Sequence, residues 1–204
     1  MTVDARLQQD LARLATPDLR IGHRLITPGD EDALLPEEAV SMAARSREAR
    51  RASGAGRLVA RALMAELGFK PSPIRGTPAG APDWPRGLTG SFAHDDTVAI
   101  CAVGSARKFR SLGIDVEPAT PLPSEMLDLV TTPREREQLD PFAGRIHFAA
   151  KEAVYKAVYP LSGRFLEFHD IEIDLAALTA KVRDGSVLTL RIVTSSHLVA
   201  LAFP

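Results

Sequence analysis

The chain has 204 residues, 45% of them hydrophobic and 25% charged, the profile of a globular protein able to bury a core. Lys+Arg is 25 and Asp+Glu is 26, so the formal net charge of -1 excludes a nucleic-acid binder that relies on overall charge. The N-terminus MTVDARLQQD lacks an apolar leader core, no run approaches the roughly 20 apolar residues of a membrane span, and Cys101 is the single cysteine. A cytoplasmic protein with a buried structural thiol is expected, without a disulfide framework or a cysteine-cluster metal site.

Taken in order, Ala5 to Leu14 has the pattern of a short helix and Leu19 to Ile26 that of a strand, followed by an acidic loop from Pro28 to Pro36. Pro36 to Leu67 is rich in Ala, Arg, Glu and Leu and predicts one or two helices, with Gly68 as the stop. Charge is unevenly spread here: residues 44–75 hold eight basic and two acidic side chains, a local excess of six in a nearly neutral chain. Lys70 to Pro85, with five prolines, predicts a loop without a regular element.

Strands are expected over Thr97 to Val103 and Ser111 to Val116. Short helices follow over Ser124 to Val130 and Pro133 to Leu139, then a longer one over Arg145 to Tyr159, closed by Pro160. The tail predicts strands over Ile171 to Asp174, Thr179 to Arg183, Val187 to Val193 and His197 to Phe203, with Asp184-Gly185 as a hairpin turn. Helices followed by strands in each half predict an α+β fold of two similar-sized lobes, residues 1–110 and 111–204.

Four groups of residues carry chemistry. In Gly113-Ile114-Asp115-Val116-Glu117 a period of two puts Asp115 and Glu117 on one strand face and Ile114 and Val116 toward the core. Paired carboxylates suit Mg²⁺, which takes one or two of them and completes its shell with water and phosphate; an exposed strand face explains them too. In Lys151-Glu152-Ala153-Val154-Tyr155-Lys156, Glu152 and Lys156 are helical neighbours. They read as a surface ion pair, or as a third carboxylate and proton acceptor beside a phosphate-neutralising lysine. Gly90-Ser91-Phe92-Ala93-His94 offers Ser91 and His94 as phosphate donors, or a structural histidine. Arg50, Arg57 and Arg61 share a helix face, either solvated or set against a phosphate. Together, three carboxylates with several cations and a histidine describe a site for a polyphosphorylated ligand and its divalent cation. No Walker loop, G-x-G-x-x-G or G-x-S-x-G motif is present.

In this order and spacing, with 35 positions between Glu117 and Glu152, these motifs resemble the 4′-phosphopantetheinyl transferase superfamily, Sfp/EntD type. The basic helix ending Gly56-Arg57, the Pro82-Asp83-Trp84-Pro85 loop and Phe148-Ala149-Ala150-Lys151-Glu152 complete the likeness, which runs from about Leu35 to Pro160. The resemblance implies a pseudodimer of two α/β lobes, monomeric, with coenzyme A in the cleft. It implies transfer of phosphopantetheine from coenzyme A to a serine of an apo acyl or peptidyl carrier protein, releasing 3′,5′-ADP. It assigns Asp115, Glu117 and Glu152 to Mg²⁺ (or Mn²⁺), with Glu152, Lys156 and Asp115 as the catalytic set. Arg50, Arg57, Arg75, Ser91, His94, Lys151 and Lys156 are assigned to coenzyme A. Arg75 substitutes for a basic residue that many members carry close before the loop proline, and Ala49 stands where some carry a cation. The apolar run Leu122, Met126, Leu127, Leu129 and Val130 reads as core packing or as a carrier-docking surface. A non-catalytic coenzyme A or nucleotide-binding module, and another Mg²⁺-dependent phosphotransferase, are the alternatives. Neither nucleic acid nor membrane is an expected partner.

Overall fold

The computed structural model describes residues 3–137 and 139–204. Its strands fall into two larger antiparallel sheets and one small ladder. The first sheet has the order β1 (Leu19–Leu25), β5 (Val98–Ser105), β4 (Leu88–His94). The second has the order β6 (Gly113–Pro118), β10 (His197–Phe203), β9 (Val187–Thr194), β8 (Thr179–Val182), β7 (Ile171–Asp174). The helices are α1 (Ala5–Leu14), α2 (Pro36–Val40), α3 (Arg47–Glu66), α4 (Ser124–Val130), α5 (Pro133–Arg136) and α6 (Pro141–Ser162). The expected α+β class therefore holds. Among the described residues no helix is long and apolar enough to cross a membrane.

Each sheet buries one face under its own helix. On the first, Val59, Ala60, Leu63 and Met64 of α3 pack on Leu88, Cys101 and Val103, so Cys101 is a core thiol. On the second, Ala149, Ala150, Ala153, Val154 and Ala157 of α6 cover Ala180, Leu188, Leu190, Leu198, Ala200 and Ala202. The remaining faces meet in a third core. There Leu7, Leu11 and Leu14, spaced one helical stripe apart on α1, join Ile21, Val98, Ile100, Ile114, Val116, Val199 and Leu201. Strand alternation sorts these sets: in β10, Leu198, Ala200 and Ala202 turn to α6 while Val199 and Leu201 turn to α1. Asp4 caps α1 by accepting from the backbone N–H groups of Arg6 and Leu7, and Asp140 caps α6 from Phe142 and Ala143.

Several boundaries differ from the sequence expectation, for local reasons. The sequence expectation assigns no element to Leu88–His94, which forms strand β4. Gly90 is there for space: a Cβ on it would overlap the Trp84 ring and the Ala102 carbonyl. α6 starts four residues earlier than predicted, with Asp140 as cap and Pro141 at the first position, where a missing N–H costs nothing. It also runs past Pro160, which sits in the last turn. The proline-rich stretch contains a two-residue ladder, β2 (Arg75–Gly76) with β3 (Pro82–Asp83).

α6 and the start of β6 approach each other closely. A Cβ on Gly113 would lie inside van der Waals contact with the Ala153 carbonyl oxygen, and Ser111 Oγ donates to the Ala157 carbonyl. Gly113→Ala is therefore expected to lower unfolding stability by about 3 kcal/mol or more, the upper range for overpacking. Urea denaturation checks this, and a loss below about 0.5 kcal/mol would contradict the close packing.

Candidate active site

β6 ends beside α6, and that junction gathers the charged residues. Asp115, only 6% exposed, accepts from Lys156 Nζ at 2.6 Å, and the same ammonium donates to the Ile114 carbonyl at 3.3 Å. Glu117, two residues on, accepts from Arg145 Nη1 at 2.7 Å. Glu152 lies half-buried on α6, one turn before Lys156, and makes no ion pair among the described residues. The i,i+4 surface pair that the sequence allowed is thus replaced by a cross-element pair, Lys156 with Asp115.

All three carboxyls are shifted upward. Burial raises Asp115, against the pull of Lys156 and, more weakly, His94. Burial and then repulsion from Asp115 raise Glu117 and Glu152. The groups are close enough to repel, and two of them already hold a cationic side chain. Among the described residues no three His, Cys, Asp or Glu side chains are grouped closely enough to hold a metal ion by themselves. The chemistry of the set nevertheless fits a hard divalent cation: every donor is a carboxylate oxygen, and Asp115 Oδ2 is buried without a hydrogen-bond partner.

From this junction a cleft of about 480 Å³ runs between α3, β4, the 76–84 loop and α6. Arg45, Ala49, Arg57, Trp84, Ser91, His94, Tyr155, Lys156 and Tyr159 are among the residues that line it. Trp84 stacks on Phe92 with centroids 5.1 Å apart, and the Arg57 guanidinium lies 5.5 Å from the same ring. The expected residues Ser91, His94, Lys156 and Arg57 therefore meet in one cavity, next to Asp115.

Other expected residues lie elsewhere. Lys151 is fully buried on the opposite flank of α6, where its ammonium donates to Glu135 Oε2 at 2.7 Å, Val130 O at 2.9 Å and Phe168 O at 3.1 Å. All three of its donors are committed, so the geometry gives it a structural place and removes it from the phosphate contacts. Arg75 is exposed on β2, paired in register with Asp83, and does not line the cleft. Arg50 does not line it either, and its Nε is buried without a partner.

The basic segment is largely consumed by two buried glutamates. Arg47 and Arg51 hold Glu31, whose pKa they draw down, and Arg61 holds Glu38 at 3.1 Å with Arg57 at 3.8 Å. Arg57 also donates to the Ile74 carbonyl at 3.0 Å and to Ser53. Glu38 is 0% exposed and accepts from the Leu35 and Ile74 N–H groups, which pins α2 and the following loop to α3. The local cationic excess is therefore first a structural device, with Arg45 and Arg57 its representatives in the cleft.

Sequence reasoning missed Arg145, Arg45 and the Tyr155–Tyr159 pair, whose rings lie 5.6 Å apart. A helical wheel would have found Arg145, which lies seven residues before Glu152 and so on the same face. In the apolar run after β6, Leu122 and Val130 are core residues, while Leu129 is 58% exposed.

Comparison with known proteins adds independent findings. Residues 35–104 match a family model described as the 4′-phosphopantetheinyl transferase N-terminal domain, and residues 111–199 one described as the 4′-phosphopantetheinyl transferase superfamily. The chain is similar to 4′-phosphopantetheinyl transferase Svp of Streptomyces mobaraensis, with 39% identity over 168 residues, 76% of this chain and 68% of that one. It is similar to 4′-phosphopantetheinyl transferase Npt of Nocardia iowensis, with 44% identity over 149 residues, 70% of this chain and 65% of the relative. PptT of Mycobacterium tuberculosis, also a 4′-phosphopantetheinyl transferase, is 40% identical over 145 residues, 68% of this chain and 64% of the relative. The match thus spans slightly less than two thirds of the lengths of Npt and PptT.

The raised Glu152 carboxyl sets a stability test. Its folded pKa lies above the ordinary glutamate value, so the ionised form costs the folded state stability at neutral pH. That cost fades as pH falls through the raised folded value and is gone below the ordinary value of 4.5. Glu152→Gln is therefore expected to unfold at higher urea than the parent at pH 7.5, with the gap closing near pH 4. A variant less stable than the parent at pH 7.5 would contradict the electrostatic reading.

Proposed function

Because the chain belongs to the 4′-phosphopantetheinyl transferase superfamily, we propose that it transfers 4′-phosphopantetheine from coenzyme A to a serine of an apo acyl or peptidyl carrier protein, releasing 3′,5′-ADP. The observation that carries this reading is the pairing of buried Asp115 with Lys156, a residue that lines the cleft. A cavity lined by Arg45, Arg57, His94 and Lys156, the last paired with Asp115, suits a pyrophosphate; Asp115, Glu117 and Glu152 would hold its divalent cation, Mg²⁺ or Mn²⁺. When bound, the cation supplies neutralisation of the pyrophosphate charge.

The remaining chemistry falls to this chain's side chains. The nucleophile is the carrier's serine, so the chain needs none of its own. The serine oxygen forms a bond to the β-phosphorus, and the bond from that phosphorus to the bridging oxygen breaks, leaving with 3′,5′-ADP. Glu152 accepts the serine proton; its burial and the neighbouring Asp115 raise its proton affinity toward the range where a carboxylate serves as a general base. Lys156 exchanges its contact with Asp115 for a phosphate oxygen, and His94 donates to a second phosphate from the cleft wall. Arg57 is rigidly held by Ser53, Ile74 and Phe92 and presents a fixed positive charge to the ligand. The apolar stretch of wall, with Ala49, Ala52 and Trp84, excludes water and strengthens these interactions.

Incubation with apo carrier proteins, coenzyme A and Mg²⁺, followed by mass spectrometry of the carrier, tests the proposal. Phosphopantetheine addition that disappears with EDTA is expected, whereas coenzyme A binding without any modified carrier would favour a binding module instead. Glu152→Gln is expected to reduce turnover by about 100-fold or more while leaving the protein folded. Near-parent turnover in that variant would remove Glu152 from the mechanism.

A further inference from the structure

We infer that Arg145 is a positioning residue for the carboxylate site, fixing Glu117 and tying it to the segment that leads from β6 into α4. The inference rests on the divalent-cation reading of Asp115, Glu117 and Glu152. It assigns a role to a side chain outside the motifs that pointed to that site.

Arg145 uses three nitrogens in three directions. Nη1 donates to Glu117 Oε2 at 2.7 Å, Nε to the Thr120 carbonyl at 3.2 Å and Nη2 to the Pro121 carbonyl at 3.2 Å. Its side chain is 14% exposed and that of Glu117 19%, so the pair is shielded from water and weakly screened. The two carbonyls belong to a stretch that has no helix or strand of its own, between β6 and α4. Arg145 therefore supplies two hydrogen bonds that attach this stretch to α6, beside the one that the Leu122 N–H donates to the Pro141 carbonyl.

Three consequences follow for the site. Glutamate has three side-chain torsions, and an ion pair through one oxygen immobilises them while leaving Oε1 without a partner among the described residues. Oε1 is thereby offered to a cation with its orientation already set. Arg145 and Lys156 together place two positive charges against three carboxylates, which lets the three sit side by side in a half-buried site. Finally, Arg145 and Glu152 lie two turns apart on one rigid helix, so the distance between Glu117 and Glu152 is set through α6 and not through a loop. Lysine cannot reproduce this: its single ammonium reaches Glu117 but lacks the planar fork that reaches two further carbonyls.

The test separates metal affinity from coenzyme A affinity and from folding. Mn²⁺ binding is measured by electron paramagnetic resonance titration on the full chain. Coenzyme A binding is measured by calorimetry in EDTA, and folding by circular dichroism and urea midpoint. Arg145→Gln is expected to weaken Mn²⁺ binding by about tenfold or more, the usual effect of removing a residue that orients a metal ligand, with coenzyme A binding within about twofold of the parent. Arg145→Lys is expected to be intermediate, and it carries the test if the glutamine variant does not fold. Mn²⁺ binding as tight as the parent's, or tighter, in a folded variant would overturn the inference while leaving transfer activity in the parent intact. If the parent itself binds no Mn²⁺, the cation reading fails and the positioning role fails with it.

Discussion

The missing side chain at Gly113 is the constraint on which the site depends. Because nothing projects from that position, the start of β6 lies against the backbone of α6 at Ala153, and Ser111 locks the same junction to Ala157. From there the two periodicities do the rest. Two residues along the strand come Asp115 and then Glu117; along the helix, Glu152 and Lys156 straddle the contact. A strand and a helix held this closely bring a buried carboxylate within 2.6 Å of an ammonium from an element some 40 residues away. Alanines at 149, 150, 153 and 157 keep the rest of α6 equally close to the sheet. The small residues of the motif are thus as necessary as the charged ones.

The junction is under electrostatic tension, and the fold manages it unevenly. Two buried glutamates elsewhere are fully matched. Glu135 takes the Lys151 ammonium and the Thr132 and Ile173 N–H groups, and Glu38 takes Arg61 with the Leu35 and Ile74 N–H groups. Such sites hold elements together and have no capacity left for a ligand. At the junction, by contrast, Asp115 Oδ2 is orphaned and three carboxyls are pushed upward together. Unbalanced charge in a cleft is where binding free energy is available, and the contrast with the satisfied glutamates separates function from structure in this chain.

Much of this was legible in the sequence, and the exceptions share a cause. The alternation of Ile114 and Val116 with Asp115 and Glu117 is local, so its two faces could be read directly. The α1 stripe and the tail hairpins were read for the same reason. Residues whose role depends on a distant partner were misplaced. Lys151 and Lys156 are chemically identical and five positions apart, but they point about 140° apart around the helix: one faces Glu135 and the other Asp115. The arginines of α3 looked like a phosphate-binding face, because Glu31 and Glu38, which claim most of them, lie 16 to 23 residues earlier in the chain. The need for glycine at position 90 was not legible, because the Trp84 ring that requires it is invisible to any local pattern.

The central claim is that the junction of β6 and α6 is where a divalent cation meets the pyrophosphate of coenzyme A. Diffraction from crystals grown with Mn²⁺ and coenzyme A, collected at the manganese edge, tests it most directly. The account predicts one anomalous peak bounded by Asp115, Glu117 and Glu152, next to the pyrophosphate, with Lys156 released from Asp115. Coenzyme A bound with Lys156 still paired to Asp115, and manganese elsewhere or absent, would contradict it.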